Sequence, residues 1–148
     1  MKKTALITAL ILMTAFTGSF ANDGGVNRAV NANFVKEFKS ANNVRWQNQK
    51  DYAIASFNMA GQILSAYYTY DGHLVAVLHH IPVDHLPIFL IKEIKKNYSE
   101  YWVTELFEAV ADGDSHYYIT LENADETMKL KSVGSTYWTL EKTRKKNG

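Results

Sequence analysis

The stretch that decides the fold is QILSAYYTYDGHLVAVLHH, residues 62–80. Apolar and polar side chains alternate over Gln62–Tyr70 and over His73–His80, with the period of a β-strand. Asp71-Gly72 stands between the two runs, and an Asp-Gly pair in this position is a strong signal for a tight hairpin turn. The stretch therefore predicts two antiparallel strands joined by a short turn.

Two further strands and a helix precede this hairpin. Alternation predicts strands at Val44–Gln47 and Tyr52–Met59. A helix is predicted over 33–41, where Phe34 and Phe38 share one face. This part of the chain is therefore predicted to be one helix followed by a four-stranded antiparallel meander.

The chain then repeats the same order of elements. Pro87 suits the first turn of a second helix, in which Ile88, Ile91 and Ile94 take helical spacing. Four more strands are predicted at 101–110, 116–122, 127–132 and 136–142. Shifting the first half along the chain aligns Gly72 with Gly134 and Phe57 with Ile119.

The predicted fold class is α+β. It is a tandem repeat of one helix plus a four-stranded antiparallel meander, at 33–81 and 82–142, in one combined domain. A single sheet of up to eight strands then carries both helices on one face. The opposite face, called the helix-free face, is left open to water, as antiparallel sheets allow.

The two ends of the chain have a different character. A basic start, an apolar run over 5–16 and small residues up to Ala21 are typical of a secretory signal peptide, residues 1–21. The apolar run is too short to favour a permanent membrane span, and cleavage after Ala21 predicts a periplasmic or secreted protein. No second apolar segment approaches spanning length, so we expect no membrane insertion after cleavage. Residues 22–32 are predicted to be flexible, and 143–148 to be a solvated basic tail.

Composition and motifs exclude several functions. The chain has no cysteine, so a disulfide framework, a thiolate zinc site and a cysteine nucleophile are impossible. Sixteen basic residues face 15 acidic ones, which disfavours a nucleic-acid partner. The hydrolase motifs Gly-x-Ser-x-Gly, His-Glu-x-x-His and Ser-x-x-Lys are absent. The sequence predicts no enzyme activity and no cofactor.

A cluster of histidines leaves one alternative function open, that of an envelope sensor for a metal ion or small ligand. Its ligand set would be His73, His79 and Asp84. Adjacent His79 and His80 point to opposite faces of a strand, so only one of them can join such a cluster. The spacing matches no established zinc pattern, and the residues equally suit a strand end and a linker.

An ordered set of motifs carries a resemblance to a known family. The motifs are Phe34-x3-Phe38, Asn43–Trp46, Tyr70-Asp71-x2-Leu74, Leu86-Pro87 and Tyr98-x2-Tyr101. In this order they resemble the PepSY-like, β-lactamase-inhibitor-like family of secreted bacterial proteins, common in Bacteroidetes. The resemblance implies a tandem α/β4 fold and a non-enzymatic periplasmic or secreted role. Distant relatives include inhibitors that grip an enzyme with an open, aromatic-rich sheet.

Strand alternation assigns side chains to the two faces of the sheet. Residues such as Ala76, Leu78 and Trp102 are predicted to face the helices. The helix-free face is predicted to bind a partner through Ile54, Tyr67, Thr69, Val75, Val77, Tyr101, Val103, Phe107, Tyr118 and Tyr137.

This assignment predicts the function. Contiguous exposed apolar area marks binding sites, and tyrosine is favoured in them. The alternatives are that these cross-strand pairs only stabilise the sheet, or that the two faces are inverted. We expect a non-catalytic module that binds a protein or peptide, such as an envelope enzyme, and that is a monomer or, through its exposed edge strands, a dimer.

Overall fold

The computed structural model describes residues 25–147 and contains one eight-stranded antiparallel sheet whose strands follow chain order. The helices are α1 (Arg28–Glu37) and α2 (Ile88–Asn97), and a short 3-10 helix, Val83–His85, precedes α2. The strands are β1 (Asn42–Asn48), β2 (Ala53–Met59), β3 (Gln62–Tyr68), β4 (Leu74–His80), β5 (Trp102–Ala111), β6 (Asp114–Glu122), β7 (Glu126–Val133) and β8 (Tyr137–Lys145). The α+β class and the antiparallel sheet agree with the prediction, and the helix-plus-four-strand order occurs twice.

Helix α1 begins earlier than predicted. Asn27 is its N-cap, and the Asn27 side chain accepts a hydrogen bond of 3.0 Å from the Val30 N–H. The same side chain donates to the carbonyl of Tyr70, so the cap also ties the helix to the β3–β4 turn. The segment predicted to be flexible, residues 22–32, is therefore helical from Arg28 onward.

The predicted turn at Asp71-Gly72 is the place where α1 meets the sheet. Gly72 has φ +96°, a conformation that favours glycine. The side-chain amide of Asn33 donates to the Gly72 carbonyl oxygen at 2.7 Å. A Cβ on Gly72 would lie 2.8 Å from that amide nitrogen and 3.4 Å from the backbone of Ala29. The turn thus needs glycine both for its backbone angle and for the close approach of the helix.

Each helix covers its own part of the sheet. Val30 and Phe34 of α1 pack on the first strands, with Phe34 edge-on to Phe57 and Trp46. Leu90 and Ile94 of α2 pack on the later strands. The sheet residues under α1 are Ala53, Ala55, Phe57, Leu64, Ala66 and Tyr68, and those under α2 are Leu106, Ile119, Leu121, Leu130 and Trp138.

Trp138 fixes α2 to strand β8. Its indole N–H donates to the Leu90 carbonyl at 3.1 Å, and its backbone N–H donates to a Glu93 carboxylate oxygen at 2.8 Å. The first of these bonds is buried, where a missing partner would be costly. The pair of bonds sets the position of α2 along the last strand.

The β4–β5 pairing, called the seam, joins the two halves into one sheet. Its register pairs Val77 with Val110, Leu78 with Ala109, His79 with Glu108 and His80 with Phe107. Directly opposite residues share a face. Leu64, which lies under α1, pairs across the strands with His79, and His79 pairs with Glu108. Glu108 in turn pairs with Tyr117, which packs against the residues under α2, called the α2 cluster; those under α1 are called the α1 cluster. Both helices therefore lie on the same face, as predicted.

The basic tail is more ordered than predicted. Strand β8 continues to Lys145. Beyond it, Lys146 forms an ion pair with Glu122 and donates to the Asn123 carbonyl at 2.7 Å. Its ammonium lies 5.4 Å from the centre of the Trp102 ring. These contacts hold an end that composition alone assigns to solvent.

We predict that Gly72→Ala is markedly more destabilising than Gly134→Ala. Both glycines have positive φ, +96° and +56°, but nothing lies within 4 Å of a Cβ on Gly134. Backbone strain alone makes Gly134→Ala cost about 1 kcal/mol, whereas strain plus the clash with α1 makes Gly72→Ala cost about 2–4 kcal/mol. Urea denaturation measures both values, and equal losses would contradict this role of Gly72 in the docking of α1.

Candidate partner-binding face

A buried apolar cluster lies on the helix-free face. Adjacent residues of a strand point to opposite sides of the sheet. Ala53 and Tyr68 face α1, so their neighbours Ile54 and Tyr67 point away from it. The cluster consists of Tyr52, Ile54, Tyr67, Ala76, Leu78, Phe107, Ala109, Ala111 and Tyr118, with Val75 packed against it. Its members come from strands β2–β6, or in the case of Tyr52 from the residue before β2.

Cross-strand contacts build this cluster and extend it across the seam. Ile54 is opposite Tyr67, and Tyr67 is opposite Ala76. The rings of Phe107 and Tyr118 stack, with centroids 5.2 Å apart and planes 22° apart, and the ring of His80 meets Phe107 edge-on at 6.2 Å. The seam thus makes one continuous aromatic surface out of two half-sheets.

The cluster is core-like in composition, yet neither α1 nor α2 contributes a residue to it. A sheet face this apolar is ordinarily packed against another layer, whereas a solvated face carries alternating polar residues. Within residues 25–147 both helices already lie on the other face. The helix-free face therefore carries a buried apolar cluster of its own, apart from the two clusters under the helices.

The tyrosines of this face are held in their neutral form. Burial raises the pKa of the Tyr67 hydroxyl. Burial, followed by the nearby charge of Glu141, raises the pKa of Tyr118. The Tyr118 hydroxyl is also buried with no hydrogen-bond partner among the described residues. Neutral, largely apolar rings contribute contact area without the cost of burying a charge.

The structure brings together about half of the predicted binding residues. Ile54, Tyr67, Phe107 and Tyr118 belong to the cluster and Val75 packs against it. Tyr137 lies on the same face, opposite Val133, and is 50% exposed. Thr69 lies beyond β3 in the hairpin turn, where its backbone N–H donates to the His73 carbonyl at 3.0 Å.

Three predicted residues lie on the wrong face. Val77 packs against the α1 cluster, and Tyr101 and Val103 pack against the α2 cluster. The cause is a register shift in each case, between Tyr67 and Tyr68 in the β3–β4 pair and between Val103 and Glu105 in the β5–β6 pair. A bulge adds one residue to a strand and so inverts the alternation beyond it.

The same bulges also place on the helix-free face three residues that were predicted to face the helices. Ala76 and Leu78 belong instead to the cluster on the helix-free face. Trp102 lies opposite Glu122, next to the α2-facing Val103, and so also faces away from the helices; it is 52% exposed. Ile63, which the predicted set lacks, is 71% exposed. Simple alternation along β3 would have placed Ile63 beside Tyr67.

A cavity of about 130 Å³ opens on the helix-free face beside the seam. Ile63, Tyr67 and Phe107 supply apolar walls, and Ser65, His80 and Glu105 supply polar atoms; Leu78 and His79 complete the lining. Small-molecule sites usually measure about 300–1,000 Å³. This cavity is therefore of the size of one side chain rather than of a cofactor.

The alternative metal set is dispersed. His73 lies 3.5 Å from Asp71 at the exposed turn, and His79 is paired with Glu108 on the helix side of the sheet. Asp84 belongs to the separate 3-10 helix. Among residues 25–147 no group of three or more histidine, aspartate or glutamate side chains is placed to hold a metal ion.

The seam carries a part-buried contact between a histidine and a carboxylate on its helix side. His79 Nε2 lies 2.9 Å from Glu108 Oε2. Burial raises the pKa of Glu108, but hydrogen bonds from Ser115, His79 and Tyr117 together outweigh it, so the pKa is lowered below its ordinary value. The ionised carboxylate thus stabilises the pairing of the two halves.

We predict that Glu108→Gln lowers the free energy of unfolding by about 1–2 kcal/mol at pH 7. Because the folded pKa is below the unfolded one, the carboxylate stabilises the protein above the unfolded value, and this stabilisation is lost as pH falls through the folded value. The deficit of the variant should therefore shrink below about pH 4. Urea denaturation at several pH values measures it, with exposed Glu100→Gln as control; a pH-independent deficit would contradict this role.

Comparison with known proteins places the fold. No family model and no curated protein matches the chain. Solved structures do match it. A DUF2874 family protein from Bacteroides ovatus has a TM-score of 0.72 at 21% identity, covering 84% of this chain and 89% of that one. A protein from Bacteroides eggerthii, assigned provisionally to the periplasm, has a TM-score of 0.72 at 15% identity, covering 82% and 90%.

A BLIP-like protein from Bacteroides fragilis is also similar, with a TM-score of 0.69 at 13% identity, covering 84% of this chain and 89% of that one. The likeness to BLIP-like and DUF2874 proteins of Bacteroides confirms the resemblance drawn from the sequence, and at these identities it shows the shared fold. In residues 25–147, no helix has the length and apolar character needed to span a bilayer.

Proposed function

We propose that the protein is a non-catalytic, exported binding module that holds a protein or peptide partner on its helix-free face. The observation that carries this proposal is the apolar cluster on the sheet face to which neither helix contributes. The cluster itself is buried, so the apolar area that a partner would remove from water belongs to the exposed residues Ile63, Trp102 and Tyr137, at roughly 25 cal/mol per Å². Inhibition of an envelope enzyme is the form of binding that the resemblance implies.

Exposed apolar residues on the same face supply the contacts that a partner would meet first. Ile63, Trp102 and Tyr137 are each at least half exposed and lie on this face. Aromatic anchors of this kind dominate the binding energy of protein interfaces. The cluster residues Tyr67, Phe107 and Tyr118 form the base beneath them.

Several features support an exported, non-enzymatic role. The expected signal peptide, residues 1–21, lies outside the described residues, and one structural neighbour is provisionally periplasmic. Hydrolase motifs are absent from the sequence. The metal-sensor alternative is weaker, because His73, His79 and Asp84 are dispersed over the fold.

We also propose that the two helix-plus-four-strand units, 33–81 and 82–142, arose from one duplicated unit. The order of elements and the positive-φ glycines Gly72 and Gly134, each in the turn before the last strand of its unit, support this.

The edge strand β8 carries the basic residues Lys142, Arg144 and Lys145, which discourage pairing with a second chain. A monomer, or a dimer through β1, is consistent with these edges.

The test is affinity capture from the envelope of the source bacterium, with residues 22–148 as bait. Ile63→Lys and Tyr137→Glu should weaken the binding of the captured partner about tenfold or more, because each places a charge within the proposed contact surface. Phe89→Glu is the matched control, since Phe89 is 60% exposed on helix α2.

Calorimetry with the purified partner measures these affinities. Binding by Phe89→Glu should stay within about twofold of the unmodified protein. Loss of binding in Phe89→Glu, with retention in the two sheet variants, would place the interface on the helix side and contradict the proposal.

A further inference from the structure

The cavity beside the seam has a defined chemistry, and its use by a partner rests on the proposed function. Its walls are the aromatic rings of Tyr67 and Phe107 and the aliphatic side chains of Ile63 and Leu78. Tyr67, Leu78 and Phe107 are buried, whereas Ile63 is exposed at the rim. These walls are firm because they belong to paired strands rather than to a loop.

A carboxylate stands at the polar part of this cavity. Glu105 lies on β5 opposite Thr120, whose hydroxyl donates to Glu105 Oε2 at 3.3 Å. Within residues 25–147, the contacts between basic and acidic side chains are those of Asp71 with His73, Glu108 with His79 and Glu122 with Lys146; Glu105 forms none of them. A hydroxyl is a neutral donor, so the charge of Glu105 is not balanced by that contact.

Two other polar side chains of the cavity already have a hydrogen-bond partner. His80 Nδ1 lies 3.3 Å from the Leu106 carbonyl oxygen, a geometry in which Nδ1 donates. Ser65 Oγ lies 3.4 Å from Ser56 Oγ on the neighbouring strand. Glu105 supplies the carboxylate of the lining and therefore favours a cationic occupant.

We propose that this cavity receives one long basic side chain, lysine or arginine, of the partner protein. Such side chains have an aliphatic stem that suits the apolar walls and a cationic head that suits Glu105. The volume of about 130 Å³ fits a single side chain. An acidic partner side chain would meet Glu105 at close range and is disfavoured.

The aromatic rings of this face already take ammonium groups from the chain itself. Lys131 Nζ lies 5.7 Å from the centre of the Tyr118 ring, and Lys146 Nζ lies 5.4 Å from that of Trp102. Tyr118 stacks on Phe107, which lines the cavity. A cation entering between Tyr67 and Phe107 would gain the same attraction to a ring face.

The experiment is an NMR titration of the isotope-labelled mature protein with Nα-acetyl-lysine N-methylamide. The expected result is a saturable shift of the Ile63 methyl signals and of the Tyr67 and Phe107 rings. Nα-acetyl-norleucine N-methylamide, which has the stem without the charge, should bind about tenfold more weakly. Glu105→Gln should lose the same factor for the lysine probe, and its fold is checked by the unchanged signals of the helices.

Two results would overturn the proposal: equal binding of the norleucine probe, which marks an aliphatic pocket, or no shift of cavity signals with the lysine probe. The captured partner separates this proposal from the proposed function. If Ile63→Lys abolishes capture but Glu105→Gln binds the partner as tightly as the unmodified protein, the face binds and the basic side chain is refuted. If the lysine probe binds as expected but no partner is captured, the cavity assignment stands and the proposed function fails.

Discussion

The pairing of β4 with β5 at the seam holds the molecule together as one sheet. It is the point at which two units, each with its own helix and its own core, become continuous. Four registered pairs make this junction, and the His79–Glu108 pair supports it on the helix side. On the other side, contacts of His80, Phe107 and Tyr118 make the aromatic surface continuous. A slip of one residue here would turn the cluster toward the helices.

The asymmetry of the two faces follows from this arrangement. Both helices cover one face and bury their own residues Phe34 and Leu90 against it. The other face carries an apolar cluster to which neither helix contributes. The cluster on the helix-free face is buried and contributes to the stability of the sheet. The proposed binding accounts for the exposed apolar residues of the same face, Ile63, Trp102 and Tyr137.

Much of the fold is local and could be predicted from the sequence. The strands agree with the predicted ones apart from their ends, because period-2 alternation and turn residues such as Asp71-Gly72 are strong local signals. The start of α1 could not be placed from periodicity, since it depends on Asn27, whose side chain bonds to a turn far along the chain. The tail likewise gains order from long-range contacts of Lys146.

The candidate site was predicted less well than the fold, and for one physical reason. A bulge has no clear sequence signature, yet it reverses every side chain beyond it. Tyr67 and Phe107 were assigned to the correct face because no register shift separates them from the positions from which alternation was counted. Val77, Val103 and Trp102 were assigned to the wrong face. A register shift, in the β3–β4 pair for Val77 and in the β5–β6 pair for the other two, separates them from the positions from which alternation was counted. Assigning faces needs register, which only pairing partners reveal.

Hydroxyl-radical footprinting of the mature protein, alone and with its captured partner, would locate the binding surface. We expect the partner to reduce oxidation of Trp102 and Tyr137, which lie on the helix-free face and are 52% and 50% exposed. Oxidation of Phe89, 60% exposed on the helix side, should not change. Protection of Phe89 with unchanged oxidation of Trp102 and Tyr137 would show that the partner binds over the helices, and would contradict the assignment of the helix-free face as the binding surface.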